Sequence, residues 1–457
     1  MASLFVHKKT KPWGLEWRSS INYLTFVVGL GIGTDTLVYG LPVAVIPYQL
    51  DIWGYTDLSS RTGWLMFAFA VGICIGTIIA AWISERYNTR RLPMLAGMVG
   101  LIGSIIMFML APTYAVLVVA RVLQGLASAI IWTVGVALIC DAVPPNKVGQ
   151  QMGYALMGLN LGAVCAPPIG GALYAKFGFY APFYFGIALS LLDLITRFLV
   201  IEPQDAKPWL EKIQQPADSE AQPTSEGDSE DKSLEKDGPA PEGDTIVSPV
   251  VTMEEDRSWR PIMEMLRHRL TWVGAFNMLA YGMVTPSINA TLPLRLWDVF
   301  GFDSTIVGLI YIAIVVPSCF AGVLSGKMAD KWGSKWIAVL YFGAAIPWYG
   351  LLIIPKLPLD IVALAFQSFF LQGTVSPIMR DFFTVAMEVK GVGFAHVFAI
   401  FNMSYAIAAA IGPVIGSNMY DHLSDGWLAV CVFCIACMIA GIIVTLIFSG
   451  KSEKEAA

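Results

Sequence analysis

Runs of about 20 apolar residues without a charge recur along this 457-residue chain, each long enough to cross a hydrocarbon core of about 30 Å as a helix. Backbone groups at that depth have no water to bond, so such a chain folds as a bundle of membrane-spanning helices. Composition agrees, with 56% hydrophobic and 14% charged residues and a mean hydropathy of +0.64, where soluble domains carry about 25% charge. A soluble enzyme is excluded. Windows between charged or Pro/Gly breaks predict twelve spans, at 22–47, 63–83, 93–111, 114–139, 150–175 and 182–201, then 270–298, 305–326, 336–355, 359–386, 393–420 and 427–449. The fold class expected is an all-α membrane protein.

Charge sets the expected orientation. With the N-terminus in the cytosol, Lys/Arg at 8, 9, 11, 18, 86, 90, 91, 147, 327, 331, 335, 390, 451 and 454 lie inside and only Arg61, Lys176 and Lys356 outside. Positive loops resist translocation, so both termini are expected in the cytosol. Residues 202–257 hold 16 Asp/Glu against 5 Lys/Arg, without apolar periodicity, and are read as a disordered acidic linker, with Ser225, Ser229 and Ser233 open to phosphorylation. The segment from Ser258 to Leu270 has the pattern of an amphipathic helix on the membrane surface. Cys431, Cys434 and Cys437 repeat every three residues without a His, Asp or Glu beside them; they read as packing residues, and no metal or other cofactor is expected.

Internal repetition gives the architecture. Leu123-Gln124-Gly125-x-x-Ser128 returns as Leu371-Gln372-Gly373-x-x-Ser376, 248 residues on. Ala166-Pro167-Pro168-Ile169-Gly170 returns as Gly412-Pro413-Val414-Ile415-Gly416, 246 on, and Glu85-Arg86-Tyr87-Asn88 as Asp330-Lys331-Trp332-Gly333, 245 on. Three unlike landmarks agree to within three residues, so the chain reads as a cytosolic segment 1–21, a six-helix bundle 22–201, the linker, a second bundle with its amphipathic lead at 258–449, and a tail 450–457. Two parallel halves around a central cavity are the architecture of alternating-access carriers, with a site near mid-membrane.

At this point the chain resembles the major facilitator superfamily. Gly326-Lys-Met-Ala-Asp330-Lys331-Trp-Gly333-Ser-Lys335 is similar to its loop signature, of which the first-half copy around Glu85 and Arg86 is degenerate. Arg121-Val-Leu-Gln124-Gly125 resembles its span-four signature. Gly162-Ala-Val-Cys-Ala-Pro167-Pro168-Ile-Gly170-Gly171 resembles the span-five signature of the twelve-helix drug:proton antiporters. Asp35 with Pro47 twelve residues later, Ala181-Pro182-Phe183, Leu191-Leu192-Asp193 and Pro377-Ile378-Met379 are similar to the vesicular amine transporters and their fungal relatives. Where those carriers place a lysine in span two this chain has Phe69, and Asn289, Gln372 and Asn402 stand at the places of their carboxylates. The resemblance implies a multi-pass carrier of the plasma membrane or of a vesicle or vacuole membrane, monomeric, with a small organic substrate and protons as partners and no nucleic acid.

Asp35 most needs a physical explanation, because an ionised carboxylate in mid-membrane costs about 3 kcal/mol or more on insertion scales unless paired, hydrated or protonated. Counting helix rise from the two ends places Asp35 and Arg121 at one depth, facing each other or sharing a water. An ion pair of purely structural use is the competing reading, and the resemblance, in which an arginine at this place supports proton coupling, favours function. Tyr39, Gln124, Trp132, Asn160, Tyr281, Asn289, Gln372, Asn402 and Tyr405 are cavity candidates. Asn277 and Gln367 join them as amides that either line the cavity or bind helix to helix. Glu85, Arg86, Asp330 and Lys331 are read as gating-loop residues; Asp193 with Arg197, and Arg380 with Asp381, as local pairs. Gly162, Pro167, Pro168, Gly170 and Gly171 form a bend in span five that either suppresses leak, as in antiporters, or is a plain kink. The expected function is proton-coupled antiport exporting a small amphiphilic or cationic molecule, with uniport, symport or a non-transporting receptor as alternatives. An enzyme is not expected, since His7, His268, His396 and His422 make no catalytic spacing.

Overall fold

The computed structural model describes residues 12–86, 90–143, 145–202, 205, 206, 209, 260–389, 392 and 394–449. Within them twelve helical spans follow the expected order, and no strand occurs among the described residues. Spans one to six are Ile21–Gly40, Leu58–Arg86, Arg91–Met109, Tyr114–Ala142, Pro145–Phe177 and Ala181–Leu199. Spans seven to twelve are Arg269–Phe300, Ser304–Trp332, Ser334–Leu351, the pair Leu357–Gly373 and Val375–Glu388, Phe394–His422 and Gly426–Phe448. Ten are long and apolar enough to cross a membrane by composition alone. The other two are span seven, which carries buried Asn277, Ser287 and Thr291, and span nine, whose 18 residues open on Ser334-Lys335.

Several helices outrun their apolar windows, Leu58–Arg86 and Pro145–Phe177 among them, by adding polar or charged residues at their ends. Span one is shorter than expected and ends at Gly40. Leu41 to Val45 form turns in which Val43 bonds back to Gly40 and Ile46 to Pro42, and a short helix, Ile46–Ile52, follows. Pro42 and Pro47 lack the N–H groups a continuous helix would need. Span ten breaks at Thr374, where Pro377 removes the bond that would return to the Gly373 carbonyl. The amphipathic lead is the helix Arg260–Arg267; the linker and its three serines lie outside the described residues.

The start of span one and the ends of spans six and twelve lie at one face. Arg18 Nε donates to Leu199 O and the Ile201 N–H to Arg18 O at 3.3 Å, while Arg269 donates to Ile447 O and Lys335 to Ser449 O at 2.8 Å. Buried Glu202 accepts the backbone N–H groups of Arg90 and Arg91 at 2.9 and 2.6 Å, tying the entry of span three to the exit of span six. Burial pushes its carboxyl above the ordinary value, and the amides of Arg91 and Arg90 pull back. We call this the termini face and its opposite the far face.

Within each half, glycines bring one pair of helices together backbone to backbone. A Cβ on Gly158 would fall on the Gly29 carbonyl, and one on Gly162 on that of Gly33, so spans one and five touch without side chains between them. In the second half a Cβ on Gly412 would stand 2.5 Å from Met283 O, joining spans seven and eleven in the same way. The shared device is physical support for the duplication read from the repeats, since small residues are what allow helices to close in lipid. Gly158→Ala is therefore expected to destabilise the protein by about 1–3 kcal/mol through overpacking. The check is thermal unfolding in detergent against Gly153→Ala, whose Cβ meets nothing within 4 Å; equal melting of the two variants would contradict the packing.

Candidate functional site

Span one, Ile21–Gly40, carries a carboxylate in its last third, where Gly31 and Gly33 let spans six and five pack close to the helix. Asp35 is 3% exposed. Its Oδ2 accepts from Ser128 Oγ at 2.6 Å and from Trp132 Nε1 at 3.0 Å, both on span four, four residues apart and so on one face. Its Oδ1 has no partner. One oxygen is therefore held by neutral donors and the other is free to carry a proton.

The expected contact with Arg121 is not made. Arg121 Nη1 donates to Gln124 Oε1 at 2.9 Å, and its guanidinium lies 4.9 Å from the Phe108 ring centroid and 5.6 Å from that of Tyr39. Ser128 and Trp132, seven and eleven residues further along span four, occupy the level of Asp35 instead. The depth argument placed the helix ends at the edges of the hydrocarbon core, whereas span four has 29 residues. Such a helix is about 43 Å long and overshoots a core of about 30 Å. Arg121 instead sits toward the far face, beside a void of about 10 Å³ that Tyr39 and Met66 also line. That is the smallest space one water can fill.

Other candidates separate by place. In the second half Tyr281 donates to Gln372 Oε1 at 2.6 Å, and its ring lies 6.1 Å from that of Tyr405, which brings spans seven, ten and eleven together at a half-buried polar cluster. Asn160, Asn289 and Asn402 are also half-buried, and the backbone carbonyl of Asn289 accepts from Tyr311 at 3.3 Å. Two amides bind helices instead: Asn277 donates to Thr445 of span twelve at 2.8 Å, and Gln367 accepts from Tyr349 of span nine at 2.6 Å. In the span-five bend a Cβ on Gly170 would fall on Leu41 O and one on Gly171 on Ser304 O, while Pro167 presents its carbonyl to Gly308 of span eight. Pro168 also lies within the helix.

Of the loop residues, Asp330 pairs with Arg380 at 3.0 Å. This corrects the local Arg380–Asp381 pair, since Asp381 accepts from Ser334 Oγ instead. Helical phase explains it: adjacent residues on one helix point about 100° apart and do not face each other. Asp330 and Arg380 both belong to the second half, and Asp330 is 80% exposed, so the pair adds little stability. Lys331 lies over the Trp332 ring at 5.2 Å. The side chains of Glu85 and Arg86 lie outside the described residues. Asp193 and Arg197 do pair, at 3.1 Å, with both side chains fully buried.

The halves are joined at the far face. Asp421 of span eleven accepts the Ser60 N–H at the start of span two at 2.7 Å, Tyr48 donates to Phe302 O at 2.9 Å and Ser304 Oγ to Gly171 O at 3.3 Å. The apolar core of the second half takes in Val43, Ala44 and Met66 from the first. At the termini face Met379 and Phe383 of span ten pack on the first half's core. Nothing in the sequence pattern marked Ser60 or Asp421. Ser128 could have been found, since it closes the Leu-Gln-Gly-x-x-Ser repeat.

A family model described as Major Facilitator Superfamily matches residues 24–396. A Schizosaccharomyces pombe protein named Uncharacterized MFS-type transporter C18.02 is 26% identical, over 97% of this chain and 99% of its own. The vesicular acetylcholine transporter of Drosophila melanogaster is 27% identical over 83% of this chain and 58% of its own length. A solved structure of a D-xylose-proton symporter is similar with a TM-score of 0.67 at 16% identity, covering 95% of this chain and 98% of its own; at that identity it speaks for the fold.

The far-face joint has a direct check. Ser60 Oγ on span two lies 3.4 Å from Asn418 Oδ1 on span eleven, so Ser60→Cys with Asn418→Cys, with the native cysteines replaced, brings two thiols within reach of each other and should cross-link under mild oxidation. Cleavage in the 202–257 segment would then leave two fragments held together until reduced. Fragments that separate without reductant would contradict the closed far face.

Proposed function

The chain belongs to the major facilitator superfamily, and on that premise we propose that it is a proton-coupled antiporter exporting a small amphiphilic or cationic organic molecule by alternating access. It is an integral, multi-pass membrane transporter. The observation that carries the coupling is Asp35: a buried carboxylate held on one oxygen by Ser128 and Trp132 and unpartnered on the other. In lipid such a group is cheapest when protonated, hydrated or paired. Proton gain favours the packed arrangement of spans one and four seen here; proton loss leaves a charge that only water or a cation can stabilise, so it favours an arrangement opening this seam to solvent. A difference in proton affinity between two states is what links a gradient to their interconversion.

Substrate binds between the halves, with Trp132 and Tyr39 on one side and the Tyr281–Gln372–Tyr405 cluster on the other. Asn160, Asn289 and Asn402 supply further amides, and Arg121 with Gln124 shapes the far-face end of the site. Aromatic faces with few charges suit an organic cation. Names among the relatives, including the vesicular acetylcholine transporter of D. melanogaster and the synaptic vesicular amine transporter of Bos taurus, support cationic cargo. The close fit of the span-five bend against Ser304 and Gly308 supports an exchanger that resists leak. The termini face is cytosolic, on the cation bias of the loops, in a plasma, vesicle or vacuole membrane, and the chain works as a monomer. Symport or uniport is the second reading, favoured by the amides Asn289, Gln372 and Asn402 in the second half's spans.

The test is accumulation of tetraphenylphosphonium in proteoliposomes under imposed pH gradients. The expected outcome is uptake against its gradient with an acid interior, abolished by a protonophore and by Asp35→Asn. Stimulation by the opposite gradient would indicate symport, and uptake by Asp35→Asn with unaltered pH dependence would remove Asp35 from the mechanism.

A further inference from the structure

Asp193 and Arg197 form a fully buried pair on span six, 0% and 1% exposed at their side chains. Span six turns this pair toward span one. Arg197 binds Asp193 through Nε alone, at 3.1 and 3.2 Å to the two carboxylate oxygens, and both of its Nη atoms lack a partner. The guanidinium lies where a side chain at Gly31 would be: a Cβ built there falls on Arg197 Nη2 and lies 3.1 Å from Asp193 Oδ2. Gly31 is four residues before Asp35, about 6 Å along the helix and on the same face. Beside it Thr34 Oγ1 is buried and unpartnered as well. The unpartnered Oδ1 of Asp35 and the guanidinium nitrogens at Gly31 thus stand about one turn apart on one face of span one, in a region where unpaired polar atoms are costly.

We infer that Arg197 is the positioning counter-charge of Asp35: it stabilises the deprotonated carboxylate across the seam of spans one and six, and Asp193 competes for it. The inference rests on Asp35 being the proton carrier. Spans four, five and six pack on this part of span one. Span four offers Ser128 and Trp132, its Arg121 being held by Gln124 and its Asp141 by Arg90 at the termini face. Span five offers the backbone at Gly158 and Gly162. Among the described residues span six turns an ion pair onto this part of span one, Arg197 and Asp193 lying where a side chain at Gly31 would stand. The opposite-charge rule then fixes the signs: a cation near a carboxylate favours its ionised form, and an anion opposes it. With Asp193 neutral, Arg197 is free to serve Asp35 alone. The glycine at position 31 is what admits the guanidinium.

The experiment is an infrared pH titration of the protonated-carboxyl stretch on the purified full chain, taken as the difference from the same chain carrying Asp35→Asn. Arg197→Gln should move the Asp35 midpoint up by about 1 pH unit and Asp193→Asn should move it down by a similar amount. Arg121→Gln should leave it within a few tenths. A purely structural pair would not move the midpoint in opposite directions. Should Arg197→Gln not be recovered folded, Gly31→Ala, which displaces the guanidinium while keeping its charge, should raise the midpoint, and Asp193→Asn alone supplies the opposite sign. Midpoints unmoved by the span-six variants, or moved equally by Arg121→Gln, would overturn the inference while Asp35 remains the proton site. A chain with no Asp35-dependent band at any pH would overturn the reading of Asp35 itself.

Discussion

A carboxylate buried within a membrane-spanning helix is stable only if something other than bulk water meets its needs, and the first half of this protein surrounds Asp35 accordingly. Gly158 and Gly162 let span five close on span one by backbone contact, which leaves the polar face of span one to spans four and six. Span four supplies Ser128 and Trp132, donors of neutral character, and span six the Arg197–Asp193 pair. Span four could not shift by a turn without taking both donors from Asp35. The second half repeats the glycine-mediated packing between spans seven and eleven and holds amides and tyrosines where the first holds charge. The two halves therefore share a scaffold while dividing the chemistry.

That division sets how the halves work against each other. The far face is closed by side chains bonding to backbone across the halves, Asp421 on the Ser60 amide and Tyr48 on the Phe302 carbonyl among them. A carboxylate accepting an N–H at the first turn of a helix gains from the helix dipole as well as from the bond, so Asp421 ties span eleven to the start of span two. The Asp330–Arg380 pair, by contrast, lies wholly within the second half and holds its own helices together.

Periodicity and repetition made most of the fold legible. The spans, the duplication and the carboxylate at Asp35 follow from apolar run length, from landmarks recurring at one spacing and from the cost of burying charge. Relative depth was not legible, because helix length in a protein is set by packing and headgroup-layer residues as well as by core thickness; Arg121 was therefore placed two turns from its level. The partner of Arg380 was hidden for a related reason. Sequence adjacency puts Asp381 beside it, yet helical phase points the guanidinium at Asp330 on another span. The meeting of Gly31 with Arg197 joins residues 166 positions apart through a crossing of helices, and only the tertiary arrangement reveals it.

The central claim is that the charge state of Asp35 sets which face is closed. Spin labels at Lys176 and Lys356, exposed residues of the far face in different halves, report this directly through pulsed distance measurement in nanodiscs across a range of pH. The account predicts a short distance at low pH that gives way to a longer one as pH rises, and a distance fixed near the short value in Asp35→Asn. The same pH-dependent change in Asp35→Asn would contradict it.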